Sequence, residues 1–107
     1  MTAYVVGHMY AISTNEGVAA YLSEIDATLA PFGGRFVIHG GETEVVEGEW
    51  PGVAIVIAFR DRAAAHAWYH SPAYQAILPL RLNNTKSNVV LVDGVEEDHK
   101  ATDVLGP

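Results

Sequence analysis

The sequence predicts an α+β protein, a βαββαβ sandwich whose antiparallel sheet carries two helices on one face. Three observations carry that prediction. Tyr4–Tyr10, Arg35–Gly41, Val53–Phe59 and Asn88–Gly94 are short runs rich in apolar and β-branched residues, the composition of half-buried strands. Stretches with apolar residues at helical spacing separate the first strand from the second and the third from the fourth. Pro31, Gly33, Gly34, Pro51 and Gly52 punctuate the chain between them.

Taken in order, the first strand places Tyr4, Val6, His8 and Tyr10 on one face and Val5, Gly7 and Met9 on the other. "STNEG" breaks it, with Thr14 or Asn15 as helix N-cap and Glu16 in the first turn. Val18, Leu22, Ile25 and Leu29 form one apolar stripe with Tyr21 beside it, until Pro31 and the Gly33-Gly34 pair stop the helix. Arg35–Gly41 is the second strand, and Gly41–Gly52 reads as its continuation or a hairpin arm. Val53–Phe59 is apolar on both faces. Asp61 caps a second helix through His70, Ser71 and Pro72 start a short helical turn through Leu78, and Asn88–Gly94 closes the sheet. This order is that of a split βαβ, or ferredoxin-like, fold. With helices on one side only, the third and fourth strands still present Val, Ile, Leu or Phe to the other side. That face predicts a symmetric homodimer.

At 107 residues the chain is the size of one domain. We divide it into a domain over 1–95 and an acidic flexible tail over 96–107, mobile or ordered only against another chain. Half of the residues are apolar and no stretch approaches the length of a membrane span. The first residues lack the basic start and apolar core of an export signal, so the expected location is cytoplasmic. With no cysteine there is no disulfide framework, no thiolate nucleophile and no cysteine-ligated metal. The net charge of −7, with the six Lys and Arg scattered, argues against nucleic acid and anionic membranes as partners.

His66 and His70 stand four residues apart, a spacing that can chelate zinc. No third ligand is positioned by the sequence, and the helical phase sets both histidines nearly opposite Trp68. If Trp68 is core, both are solvated, and no metal is expected. His8 and His39 sit centrally in strands, where a polar side chain needs a partner or a cavity. Arg35, two residues before His39, is expected on its face. These residues could form a pocket for an anionic or enolisable molecule, with His8 as base and Arg35 as charge stabiliser. The alternative is structural: a hydrogen-bonded His8, and Arg35 paired with Glu42 or Glu44. Trp50, Trp68, Tyr69 and Tyr74 pack the core or a dimer, or stack on a ligand. Arg81 fixes the loop into the last strand or holds a ligand anion. Gly33, Gly34, Gly40 and Gly41 turn the backbone and do not form a phosphate loop.

Gly33-Gly34-Arg35-Phe36, Gly40-Gly41, Glu47-Gly48-Glu49-Trp50, Trp68-Tyr69-His70-Ser71-Pro72, Tyr74-Gln75 and Leu80-Arg81 together resemble the bacterial domain of unknown function 1330 family. That family belongs to the dimeric α+β barrel superfamily, and the likeness runs from Tyr4 to Gly94. It implies the same ferredoxin-like fold and dimer. Superfamily relatives include cofactor-independent monooxygenases, muconolactone isomerase, haem-degrading enzymes and chlorite dismutase-like proteins, with a site between sheet and helices. Carried over by position, the resemblance points to Arg35, Trp68, Tyr69, Ser71 and Arg81, with His8 at a strand position often polar in the family. His39 stands where an arginine commonly precedes the double glycine. Two functions follow as expectations. One is an enzyme without metal or cofactor, with His8 and Arg35 catalytic and Tyr10, His39, Trp68, Tyr69, Ser71 and Arg81 around the ligand. The other is a non-catalytic small-molecule-binding or stress-associated accessory protein.

Overall fold

Alternating strands and one-sided helices assemble as their apolar faces require. The computed structural model describes residues 1–13 and 15–106. Four strands, β1 (Ala3–Tyr10), β2 (Arg35–His39), β3 (Val53–Phe59) and β4 (Lys86–Asp93), form one sheet in the order β2-β3-β1-β4. Every neighbouring pair is antiparallel. Three helices cover one face: α1 (Glu16–Leu29), α2 (Arg62–Tyr69) and α3 (Pro72–Leu82). The shortest dimension of the molecule is 18 Å, the thickness of two layers, so the other face of the sheet carries no layer. Among the described residues no helix is long and apolar enough to cross a membrane.

Asn15 caps α1, its side chain accepting from the Val18 N–H at 3.1 Å; Thr14, the other candidate, lies outside the described residues. The α1 stripe divides along its length. Ile25 and Leu29 are buried with Tyr21 and Thr28, whereas Leu22 is 47% exposed and Val18 half-buried. After a 3-10 turn at Ala30–Phe32 the chain reverses through Gly33 at φ 68°. Gly34 then passes so close to the core that a Cβ would stand 2.7 Å from both Leu29 Cδ2 and Phe59 Cε1.

The structure revises three expectations. Residues 41–52 form no strand and lie exposed, neither continuing β2 nor forming a hairpin arm; four acidic side chains and three glycines there give the sheet little to bury. The sheet carries three helices rather than two: Ser71, where the sequence places the break, ends α2 with its extended backbone and begins a full helix, α3, in place of a short turn. The Ser71 hydroxyl donates to the Trp68 carbonyl and accepts from the Tyr74 N–H, at 2.7 and 3.2 Å. Helix α3 then runs to Leu82 rather than stopping at Leu78, with Pro79 inside it. The bond that Pro79 cannot make would have gone to Gln75, on the exposed side, while Ile77, Leu78 and Arg81 are buried on the other. Tertiary burial outweighs the missing bond.

The densest packing is around Phe59, Trp68 and Tyr74, all fully enclosed. Trp68 stacks obliquely on Tyr74 with ring centres 4.1 Å apart, and its Nε1–H donates to Thr28 Oγ1 at 3.0 Å. On the uncovered face one row crosses the whole sheet: Ile38, Val56, Val6 and Val90 are successive partners, with Ile38 and Val90 about half exposed. Beyond Val95 the tail ends in a 3-10 helix, Ala101–Leu105, that leaves Val104 and Leu105 in solvent.

Candidate functional site

Beneath the helices the sheet carries a second cross-strand row, His39, Ile55, Gly7 and Val89. Its central member has no side chain. Neither positive φ nor crowding requires glycine at position 7, where an added Cβ would make ordinary contacts of 3.6 Å with Met9 and 3.8 Å with Ile55. A glycine in a central strand without such a cause marks space left for something to approach the backbone. Above Gly7, the Val18 and Leu22 that failed to bury stand at the rim with Ile12. Together they enclose a cavity of about 310 Å³, within the usual size range for small-molecule sites. Its walls are mostly aliphatic and aromatic, among them Ile25, Ile57, Trp68 and Tyr69.

Apart from His39 and Thr85, the polar part of the wall is one cluster. Tyr21 and Tyr74 face each other with hydroxyls 2.7 Å apart. Arg81, in the last turn of α3, is 4% exposed, and its Nη1–H donates to Ser87 Oγ at 2.6 Å. Burial and the facing Tyr74 hydroxyl push the Tyr21 phenol well above its ordinary pKa, against the opposing pull of Arg81. Burial works against the Arg81 charge, but the two phenols more than offset it, and the guanidinium is held in its charged form.

Four of the residues expected around a ligand, His39, Trp68, Tyr69 and Arg81, line this cavity. Four others do not. Ser71 is the cap between α2 and α3. Tyr10 lies on the uncovered face, its ring 5.3 Å from that of His8. His8 is on that face too, stacked on Trp50 at 4.1 Å with its Nε2 bonded to the Pro51 carbonyl at 2.5 Å. Because a carbonyl can only accept, Nε2 carries the proton. Gly52 makes this contact feasible: at φ 86° it passes so close to Met9 that any side chain would collide with the Met9 carbonyl.

Arg35 and His39 do not share a face. A bulge between Phe36 and Ile38 shifts the register by one residue, so that Arg35 pairs opposite Ala58 on the open side while His39 pairs opposite Ile55 beneath the helices. Among the described residues no carboxylate pairs with the exposed Arg35, Glu42 and Glu44 included. Ala54, opposite His8, and Ala58 are four residues apart on β3, which separates His8 from Arg35 by about 13 Å along the strand.

His66 and His70 are exposed with ring centres 5.1 Å apart, on the opposite side of α2 from the buried Trp68. Among the described residues no group of three or more His, Asp or Glu could hold a metal ion. The sequence reading passed over Gly7, Tyr21 and Ser87. An interior strand glycine was the available signal for the first; the other two carried none, because their role depends on Arg81 arriving from another element.

The chain belongs to the family described as domain of unknown function (DUF1330), whose model matches residues 2–95. The fold is that of ferredoxin-like dimeric α+β barrel proteins. A protein of unknown function from Rhodopseudomonas palustris superposes with a TM-score of 0.69 at 14% identity, over 89% of this chain and 83% of its own. A dimeric ferredoxin-like protein of unknown function from Jannaschia sp. CCS1 gives 0.59 at 17% identity, over 88% and 100%. SnoaB, a cofactor-independent oxygenase from Streptomyces nogalater, gives 0.56 at 11% identity, over 92% and 96%. Among curated proteins none matches the sequence. At these identities the solved structures speak for the fold alone.

Proposed function

We propose that this protein binds a small, largely apolar molecule in the cavity between sheet and helices, and does so as a homodimer. The observation that carries the reading is the hollow above Gly7, a cavity of about 310 Å³ beside a core of fully buried aromatic side chains. An apolar space of this size in water gains free energy when an apolar guest fills it. The described residues that line the site all fall within 1–95, and none of them belongs to the acidic tail. The aliphatic row on the uncovered face, together with the dimeric state of the Jannaschia protein, supports association of two sheets face to face.

Saturation-transfer NMR with indole tests the site. Indole binds the wild-type protein, and Gly7→Val, whose Cβ makes only ordinary contacts with Met9 at 3.6 Å and with Ile55 at 3.8 Å while its side chain fills the floor, abolishes that binding while the protein still unfolds cooperatively. No binding to the wild type, or unchanged binding to Gly7→Val, overturns the reading. A single monomer in sedimentation at micromolar concentration overturns the dimer.

A second reading, a cofactor-independent enzyme, is favoured by one observation: Arg81 with Tyr21 and Tyr74 could stabilise an enolate formed from a bound substrate. His8, outside the cavity and engaged by Pro51, has no path to such a substrate, so catalysis would fall to this cluster. Product formation from a bound ligand would separate the two readings.

A further inference from the structure

The polar cluster has too many donors for its acceptors. A guanidinium offers five N–H donors and accepts nothing. In Arg81 one of them reaches Ser87 Oγ, and among the described residues no carboxylate stands within ion-pair distance. Two phenols sharing one hydrogen bond leave one further O–H, and Arg81, which lies close enough to both phenol oxygens to be favoured in its charged form, can donate to them but cannot accept that proton. Yet none of the fully enclosed side-chain nitrogens and oxygens among the described residues lacks a partner. The spare donors of Arg81 therefore border space, and the space Arg81 borders is the cavity.

A buried charge without a counter-ion is unfavourable, and burial is most tolerable where a partner can complete the pair. Apart from His39 and Thr85, the rest of the cavity wall is apolar. The chain's net charge of −7 disfavours an anion's approach at long range, so recognition has to come from this one local cation.

We infer that the ligand of this cavity is an amphiphilic organic anion, an aryl or alkyl carboxylate whose head takes the free donors of Arg81 and the tyrosine pair while its apolar body lies over Gly7. The inference rests on the binding reading above and names the ligand class for that site. A carboxylate matches the cluster because it accepts at two oxygens and supplies the missing charge. A neutral amide or ketone of the same shape supplies fewer acceptors and no charge.

Calorimetric titration near neutral pH with 3-phenylpropanoate and 3-phenylpropanamide, equal in size and differing in charge, tests this. The acid binds at least tenfold more tightly than the amide. Arg81→Gln brings the two together, and Tyr21→Phe, a milder change should the first variant fail to fold, reduces the acid's advantage several-fold. Equal binding of both compounds to the wild type overturns the anion inference and leaves the cavity reading standing; binding of neither overturns both. An acid preference that survives unchanged in Tyr21→Phe and in folded Arg81→Gln places the anion elsewhere and also overturns the inference.

Discussion

The two faces of the sheet are built from the same four strands by the same alternation, yet they pose opposite packing problems. Beneath the helices, the row His39, Ile55, Gly7 and Val89 is covered, except at His39 on the exposed edge strand, but not filled. On the other side, the row Ile38, Val56, Val6 and Val90 is filled but not covered. Covering a surface and filling it are separate physical requirements. A covered row with a glycine at its centre leaves a cavity that suits a small guest. A complete aliphatic row left open to water asks for a second layer, which in the proposed dimer a symmetric copy of itself would supply.

The largest effect on this comparison comes from removing the part of the helix face that is both covered and filled. Trp68 is 1% exposed, packs on Phe59 and Tyr74 and donates to Thr28. Trp68→Ala is expected to cost about 3–5 kcal/mol, read as a lower midpoint in urea unfolding. A loss below about 1 kcal/mol would mean that the helix layer does not hold the protomer together. Next comes the open face. Val90→Asp puts a charge into the uncovered row at a position 55% exposed, so protomer stability should change by about 0.5 kcal/mol or less. A second sheet laid on that row would have to bury the carboxylate. Dimer dissociation should rise by about a hundredfold, near 2.8 kcal/mol, in sedimentation equilibrium. An unchanged dimer would break the assignment of this face.

Much of the fold was legible because period-two and helical patterns record which side of each element is dry. The caps at Asn15, Asp61 and Ser71 stand where short polar side chains precede apolar runs. The site was less legible, for two reasons. Strand alternation put Arg35 with His39, and a single bulge, a tertiary feature, reversed that relation. Helical spacing placed Val18 and Leu22 in the core with Ile25 and Leu29. It registers that a residue faces inward, not whether anything meets it there. Arg81 was singled out as a ligand or loop anchor, but its phenolic neighbours come from α1 and the start of α3, beyond the reach of local pattern.

The smallest effect separates the polar cluster from the apolar packing around it. Tyr21→Phe keeps the ring and its edge contact with Tyr74 but leaves the Tyr74 hydroxyl without its partner, a loss of about 1 kcal/mol at neutral pH. The alkaline limb then distinguishes a titrating phenol from a packing defect. Because the folded-state pKa of Tyr21 is raised, the native protein keeps a proton that the unfolded chain releases above its ordinary value of about 10. Stability is fully present below that pH and falls as pH rises beyond it, with a slope of at most about 1.4 kcal/mol per pH unit. Tyr21→Phe lacks this loss, while the titrating groups remote from Tyr21 are common to both proteins and cancel in the difference. The gap between wild type and variant should therefore narrow by about 1 kcal/mol between about pH 10 and pH 11, measured by urea unfolding at each pH. A gap that stays constant would mean that the phenol is already ionisable in the folded protein, and that the cavity wall at Tyr21 is wet rather than dry.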